Sequence, residues 1–180
     1  MDGDNKRHQS VDLTMSYRLL NGVMFNIAWL GIVVSQSSLI APAVVIALLT
    51  AHLALMGKGP REWRFIGGFA LTGFCVDQLL FRTGVFTVAG SVASPPLWMT
   101  CLWPALGTTF MHAFAGLTDR PFLASVVGGV GGGASYVAGT RLTEVSFATD
   151  ISGPIILAVL WAIIFPVALA IANREGGGAS

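Results

Sequence analysis

Six runs of about twenty mostly apolar residues follow one another with only short breaks, and that arrangement limits the folds open to this chain. They cover Arg18–Gln36, Leu39–Met56, Phe65–Val85, Leu97–Leu117, Pro121–Gly139 and Ser152–Ala172. A helix of about twenty residues, rising roughly 1.5 Å per residue, crosses a hydrocarbon layer about 30 Å thick. What lies outside the runs is a polar segment at 1–17, a short tail at 173–180 and brief connections. The expected fold class is all-α: a polytopic membrane helix bundle of about six transmembrane helices, forming a single domain over 18–172.

Composition agrees. Charged residues make up 11% of the chain and hydrophobic ones 54%, whereas soluble domains carry about 25% charged residues. Mean hydropathy is +0.73. So few charges cannot solvate a water-facing surface, which argues against a soluble enzyme. Disorder needs low hydrophobicity and high net charge, so it is excluded as well. A net charge of +1 with no basic stripe excludes a nucleic-acid partner. The runs are continuous rather than alternating, which disfavours a transmembrane β-barrel. A secretory signal peptide is the other reading of the first run. Its polar lead is long, however, and no A-x-A site follows Val34, so a retained helix is expected.

Prolines mark several edges. Pro42, Pro121 and Pro154 fall near the first turn of their helices, where a missing N–H costs nothing. Asp119 is placed to cap the helix that Pro121 opens. Pro104 and Pro166 lie inside runs, so the fourth and sixth helices are expected to kink. Gly57–Lys58–Gly59–Pro60 and Ser94–Pro95–Pro96 read as breaks.

Lys and Arg near span ends mark the cytoplasmic side. With the N-terminus inside, the inner segments hold Lys6, Arg7, Arg18, Lys58, Arg61, Arg64, Arg120 and Arg174, and the outer ones only Arg82 and Arg141. Both termini are therefore expected in the cytoplasm of a bacterium, with the protein in its inner membrane. Trp63 and Trp98 are expected at the interfaces, and Pro60–Arg64 could also meet anionic head groups. Cys75 and Cys101 differ in depth, so neither a disulfide nor a metal pair is expected.

Polar groups within spans are costly unless paired, so each is a candidate for function. One set lies toward the outer face: Asp77, Gln78 and Arg82 on the third helix, Ser135, Tyr136 and Arg141 on the fifth, and Glu144 just beyond. Asp77 and Arg82 are about 140° apart around their helix. The expected partners are thus Arg141 for Asp77 and Glu144 for Arg82. Such a set would form a polar pocket for an anionic head group or a proton, or else two structural ion pairs. The inner set comprises Asn26, His52, Thr108 and His112. His52 and His112 lie at similar depth, about 6 and 7.5 Å from the inner ends of their helices, so contact is possible if those helices are neighbours. A histidine pair could carry protons or bind a metal. No third ligand is visible, so no metal and no cofactor are expected.

The fifth run contains Gly128, Gly129, Gly131, Gly132 and Gly133. Gly128/Gly132 and Gly129/Gly133 repeat at the spacing that lets helix backbones approach closely in lipid. This helix is expected in the middle of the bundle or at the seam of a homo-oligomer, with a bend or a backbone-lined cavity as the sharper alternative. The run is not a phosphate loop, since no Lys-Ser/Thr follows it. No motif for nucleophilic, zinc-dependent or nucleotide chemistry is present.

Several elements recur in a familiar order: Glu62-Trp63-Arg64, Pro96-Leu97-Trp98 with Leu102-Trp103, Thr108-Thr109 before His112, and Gly131-Gly132-Gly133 leading to Ser135-Tyr136, Gly139 and Arg141-Leu142. Together they resemble a family of small bacterial inner-membrane proteins classed as a domain of unknown function, over about Asn21 to Ala170. The resemblance implies a location, a span count and a lipid-linked role, and carries no established reaction. Three functions follow as expectations. The chain binds or moves a lipid or small solute at the Asp77/Arg82/Arg141 region, acts as a lipid-modifying enzyme or subunit through His112, or serves as a structural partner. Membrane lipids are the expected partners in each.

Overall fold

The computed structural model describes the backbone of residues 2–57, 59–89 and 94–177, with side chains from 15 to 176 among these. Lys6, Arg7 and Lys58, three of the charges that set the expected orientation, have side chains outside the described residues. So do Met1 and residues 178–180 of the two tails.

Of the described residues, 77% are helical. Helix α1 spans Asp2–Ser35, α2 Ile40–Met56 and α3 Pro60–Arg82; α6 spans Pro121–Leu142 and α7 Ser152–Gly177. Four stretches, Met15–Ser35, Pro60–Arg82, Pro121–Leu142 and Ser152–Gly176, are long and apolar enough to cross a membrane, and Ile40–Met56 is a shorter apolar helix. Pro60 and Pro121 stand in the first turns of α3 and α6. Asp119 does not cap α6: Arg120 holds the N-cap position and no side chain bonds there. Helix α7 continues through Pro166.

The fourth run departs most from expectation. Instead of one kinked helix, residues 97–117 form α4 (Leu97–Thr100), α5 (Leu102–Gly107), a series of turns, and a 3₁₀ turn at Ala115–Leu117. Pro104 thereby falls in the first turn of α5 and opens a helix rather than bending one. Beyond Gly107 the backbone tightens to three-residue bonds, as from Thr109 N–H to Leu106 O (2.9 Å) and His112 N–H to Thr109 O (3.2 Å). The hydroxyls of Thr108 and Thr109 donate to Ala105 O (2.8 Å) and Leu106 O (2.6 Å), taking carbonyls that a continued α-helix would use. Non-helical backbone at membrane depth is tolerated only where protein surrounds it. Residues 107–112 are accordingly all buried.

Two three-residue strands, β1 (Phe86–Val88) and β2 (Val145–Phe147), pair antiparallel with Phe86 opposite Phe147. They tie the end of α3 to the end of α6. Gln36, after α1, joins the same end by donating to Leu142 O (3.3 Å) and accepting from Glu144 N–H (3.0 Å). At the opposite end Arg64 of α3 pairs with Glu175 of α7 at 3.1 Å. The chain therefore passes through the bundle six times, the fourth pass being the broken segment.

An aromatic row holds that segment in place. Trp103 stacks on Trp161 at 5.2 Å and meets Phe69 at 5.3 Å, while Phe110 packs against Phe69 (4.9 Å) and Phe165 (5.2 Å). Outward, Leu19, Val23, Ile27, Leu30 and Val34 of α1, and Ile155, Val159, Ile163, Val167 and Ile171 of α7, are exposed stripes at helical spacing. An apolar exterior around a core that holds the polar groups is the arrangement lipid demands.

Candidate functional site

The densest buried polar cluster lies at the end of the bundle away from the β-ribbon. His52, near the end of α2, and Glu62, in the first turn of α3, face each other across the short Gly57–Gly59 connection. His52 Nε2 lies 2.9 Å from Glu62 Oε1, and His112 Nε2 lies 2.8 Å from the same oxygen. The imidazole rings stand edge to face with centroids 4.9 Å apart. Asn21 of α1 completes the set: its Nδ2 donates to Thr108 O (3.2 Å) and faces His52 Nδ1 (3.4 Å), and its Oδ1 accepts from Ala113 N–H (3.3 Å). Exposure is 0% for His52, 1% for Glu62 and Asn21, and 8% for His112. Because the fourth pass is unwound here, the Thr108 carbonyl and the Ala113 amide are free to meet a side chain.

The two histidines thus meet as their equal depth suggested, and Thr108 joins through its carbonyl. Asn26 stays apart, exposed and bonded to Gly22 O of its own helix (2.8 Å). Asn21 and Glu62 were not singled out as site residues, although depth offers a signal. His52 precedes the end of α2 by four residues and Glu62 is the third residue of α3, so the two stand near the facing ends of consecutive helices.

The outer set is dispersed. Asp77 is fully buried and accepts from Trp103 Nε1 at 3.0 Å through Oδ2, while its Oδ1 has no hydrogen-bond partner among the described residues. Among the described residues neither an Asp77–Arg141 nor an Arg82–Glu144 ion pair forms. Arg82 and Arg141 stand exposed in the last turns of α3 and α6, where cations suit the negative helix ends and long side chains reach toward water. Glu144 is exposed, Gln78 and Tyr136 half-buried, and Ser135 exposed. Asp77 acts on the interior by fixing the Trp103 indole. Cys75 and Cys101 are both free.

Trp103 forms part of the wall of a cavity of about 360 Å³ between α1, the broken segment, α6 and α7. Phe25, Trp29, Trp98, Phe114, Trp161 and Phe165 line it, with Thr109, Ser135 and Tyr136 among the few polar groups. Trp98 is buried on this wall. Trp98 Nε1 is a buried donor that makes no hydrogen bond among the described residues, whereas the Trp161 indole interacts with the Tyr136 side chain. Glycine makes the space possible. Gly128 and Gly132 sit hard against Phe165 and Trp161, so that a Cβ would come within 2.4 and 2.3 Å of them, whereas Gly131 and Gly139 meet nothing within 4 Å. The small-residue repeat of α6 is therefore turned toward α7 of the same chain, and α6 remains one unbroken helix.

Long apolar helices, an apolar exterior and polar groups gathered inside define a polytopic helical membrane protein. The chain belongs to the family described as "Protein of unknown function (DUF2878)", which it matches over residues 18–167. No curated protein and no solved structure matches it.

Proposed function

We propose that this protein binds a lipid-derived molecule inside the bundle, with its apolar chain in the aromatic cavity and an oxygen acceptor on the indole N–H of Trp98. The observation that carries this reading is the cavity itself. Its volume falls at the lower end of the range of about 300–1,000 Å³ for small-molecule sites, and its wall is mostly apolar. A buried, unpartnered donor beside such a wall, the Trp98 indole N–H, favours an ester or ketone oxygen over a purely hydrocarbon guest. The Asp77 region contributes indirectly, through Trp103. The proposed setting is the inner membrane of a bacterium, with the Arg18, Arg61, Arg64, Arg120 and Arg174 end of the bundle in the cytoplasm.

Mass spectrometry of lipid retained by the purified protein tests the reading. Leucine at Gly131 or Gly139 enters the cavity without displacing a neighbour. Retained lipid is expected to fall several-fold in Gly131→Leu and Gly139→Leu and to stay unchanged in Gly68→Leu, which lies away from the cavity. Equal retention in all three would refute the proposal.

A further inference from the structure

Two imidazoles from different passes aim the same ring atom at one carboxylate oxygen. His52 Nε2 stands 2.9 Å and His112 Nε2 2.8 Å from Glu62 Oε1, and the ligand atoms of the three side chains all lie within 4.8 Å of one another. Glu62 is thus the third ligand that the sequence left unseen. His52 comes from α2, Glu62 from α3 and His112 from the broken fourth pass. Turns rather than helix hold His112 there: its N–H donates to Thr109 O (3.2 Å) and its carbonyl accepts from Ala115 N–H (3.2 Å). The ligands of a tetrahedral zinc ion, each about 2.0–2.2 Å from the metal, stand roughly 3.4 Å apart. The two nitrogen–oxygen separations need widen by only about 0.5 Å to reach that value.

The donor set narrows the choice of ion. Two imidazole nitrogens argue against magnesium and calcium, which take oxygen ligands. Iron(II) on two histidines and a carboxylate keeps further open positions on one face. Here Glu62 is 1% exposed and His52 0%, which leaves little room for them. Zinc needs three protein ligands and a single open position. His112 supplies the way in, since it lines a cleft of about 320 Å³ together with Tyr17, Arg18, Leu55, Met56 and Met111.

We propose that His52 Nε2, Glu62 Oε1 and His112 Nε2 bind a zinc ion at the Arg18 end of the bundle, with water from the cleft as the fourth ligand. An ionised carboxylate only accepts, so in the ion-free protein both Nε2 atoms donate to Glu62. On binding, each ring stays neutral and its hydrogen moves from Nε2 to Nδ1. Water in the cleft takes the new His112 N–H. At His52 the Nδ1 atom faces the Asn21 amide at 3.4 Å, and Asn21 turns its oxygen to the ring, giving it the kind of acceptor that metal-bound histidines have. Turning gives up the bonds of Asn21 to Thr108 O and Ala113 N–H, 3.2 and 3.3 Å long. Two neutral hydrogen bonds are weak beside a set of metal–ligand bonds. The inference stands apart from the cavity reading, because none of the three ligands lines the cavity.

The test uses full-length protein purified through a histidine-free tag, stripped with a chelator, placed in nanodiscs and titrated with zinc. One zinc per chain is expected. Glu62→Gln and His112→Gln are each expected to weaken binding by about 100-fold or more, since losing even the outer partner of a ligand costs about 10–100-fold. His8→Gln, which removes the remaining histidine of the chain, is expected to leave binding unchanged. X-ray absorption of the zinc-loaded unaltered protein is expected to show two imidazoles, with oxygen as the other ligands. Substoichiometric zinc, equal binding in Glu62→Gln, loss of binding in His8→Gln or a sulfur ligand in the spectrum would each overturn the proposal. The stoichiometry and the spectrum need no variant, so a variant that fails to fold does not shield it.

Discussion

Glu62 accepts two imidazole N–H groups on one oxygen while almost fully buried, so what replaces it matters more than its removal as such. Glutamine keeps a carbonyl oxygen where the carboxylate oxygen stood, and Glu62→Gln is expected to leave the amount of folded protein near normal. Alanine strands both imidazole donors, at a cost of about 1–3 kcal/mol for each unsatisfied group. Glu62→Ala should therefore lower the thermal midpoint in detergent markedly, and similar midpoints for the two variants would contradict the shared-oxygen geometry. Asp77 behaves alike toward Trp103. Asp77→Asn retains an acceptor for the indole, whereas Asp77→Leu leaves it bare. Only the leucine variant is expected to disturb the near-ultraviolet circular dichroism of the stacked Trp103–Trp161 pair. Their depth was legible in the sequence for His52, His112 and Asp77. The partners were not, because depth says nothing about which way around its axis a helix faces.

At the scale of elements, the α6–α7 hairpin separates two kinds of glycine. At Gly132 an added Cβ would lie 2.3 Å from Trp161 Cγ, and at Gly131 it would meet nothing. Gly132→Ala is expected to destabilise by about 1–3 kcal/mol through overpacking. Gly131→Ala is expected to stabilise by roughly 0.5–1 kcal/mol, since alanine restricts the unfolded backbone and favours helix. Thermal midpoints of the two variants, measured side by side, check the opposite signs. The small-residue spacing was visible in the sequence, and so was the need for a close neighbour. The broken fourth pass was not. Its hydropathy is that of a continuous span, and the competition of Thr108 and Thr109 for helix carbonyls succeeds where Asn21 of α1 supplies other partners to the Thr108 carbonyl and the Ala113 N–H.

For the whole molecule, the β1–β2 pairing and the contacts of Gln36 place the ends of α1, α3 and α6 together, with Arg82 and Arg141 at that end. The larger group of arginines stands at the other. Reporter fusions to either terminus are expected to be active in the cytoplasm, and periplasmic activity of one would reverse the proposed orientation. Hydropathy along the chain was enough, without any tertiary information, to specify a helical membrane bundle, most of its span edges and the small-residue seam. These properties depend on local composition and on spacing within one helix. Only the tertiary structure decided that Asn21 and Glu62 complete the histidine pair, that Asp77 serves Trp103 rather than an arginine, and that a cavity opens beside the glycines. Each of these depends on the rotation of one helix against another, and that is settled by the packing of all passes together.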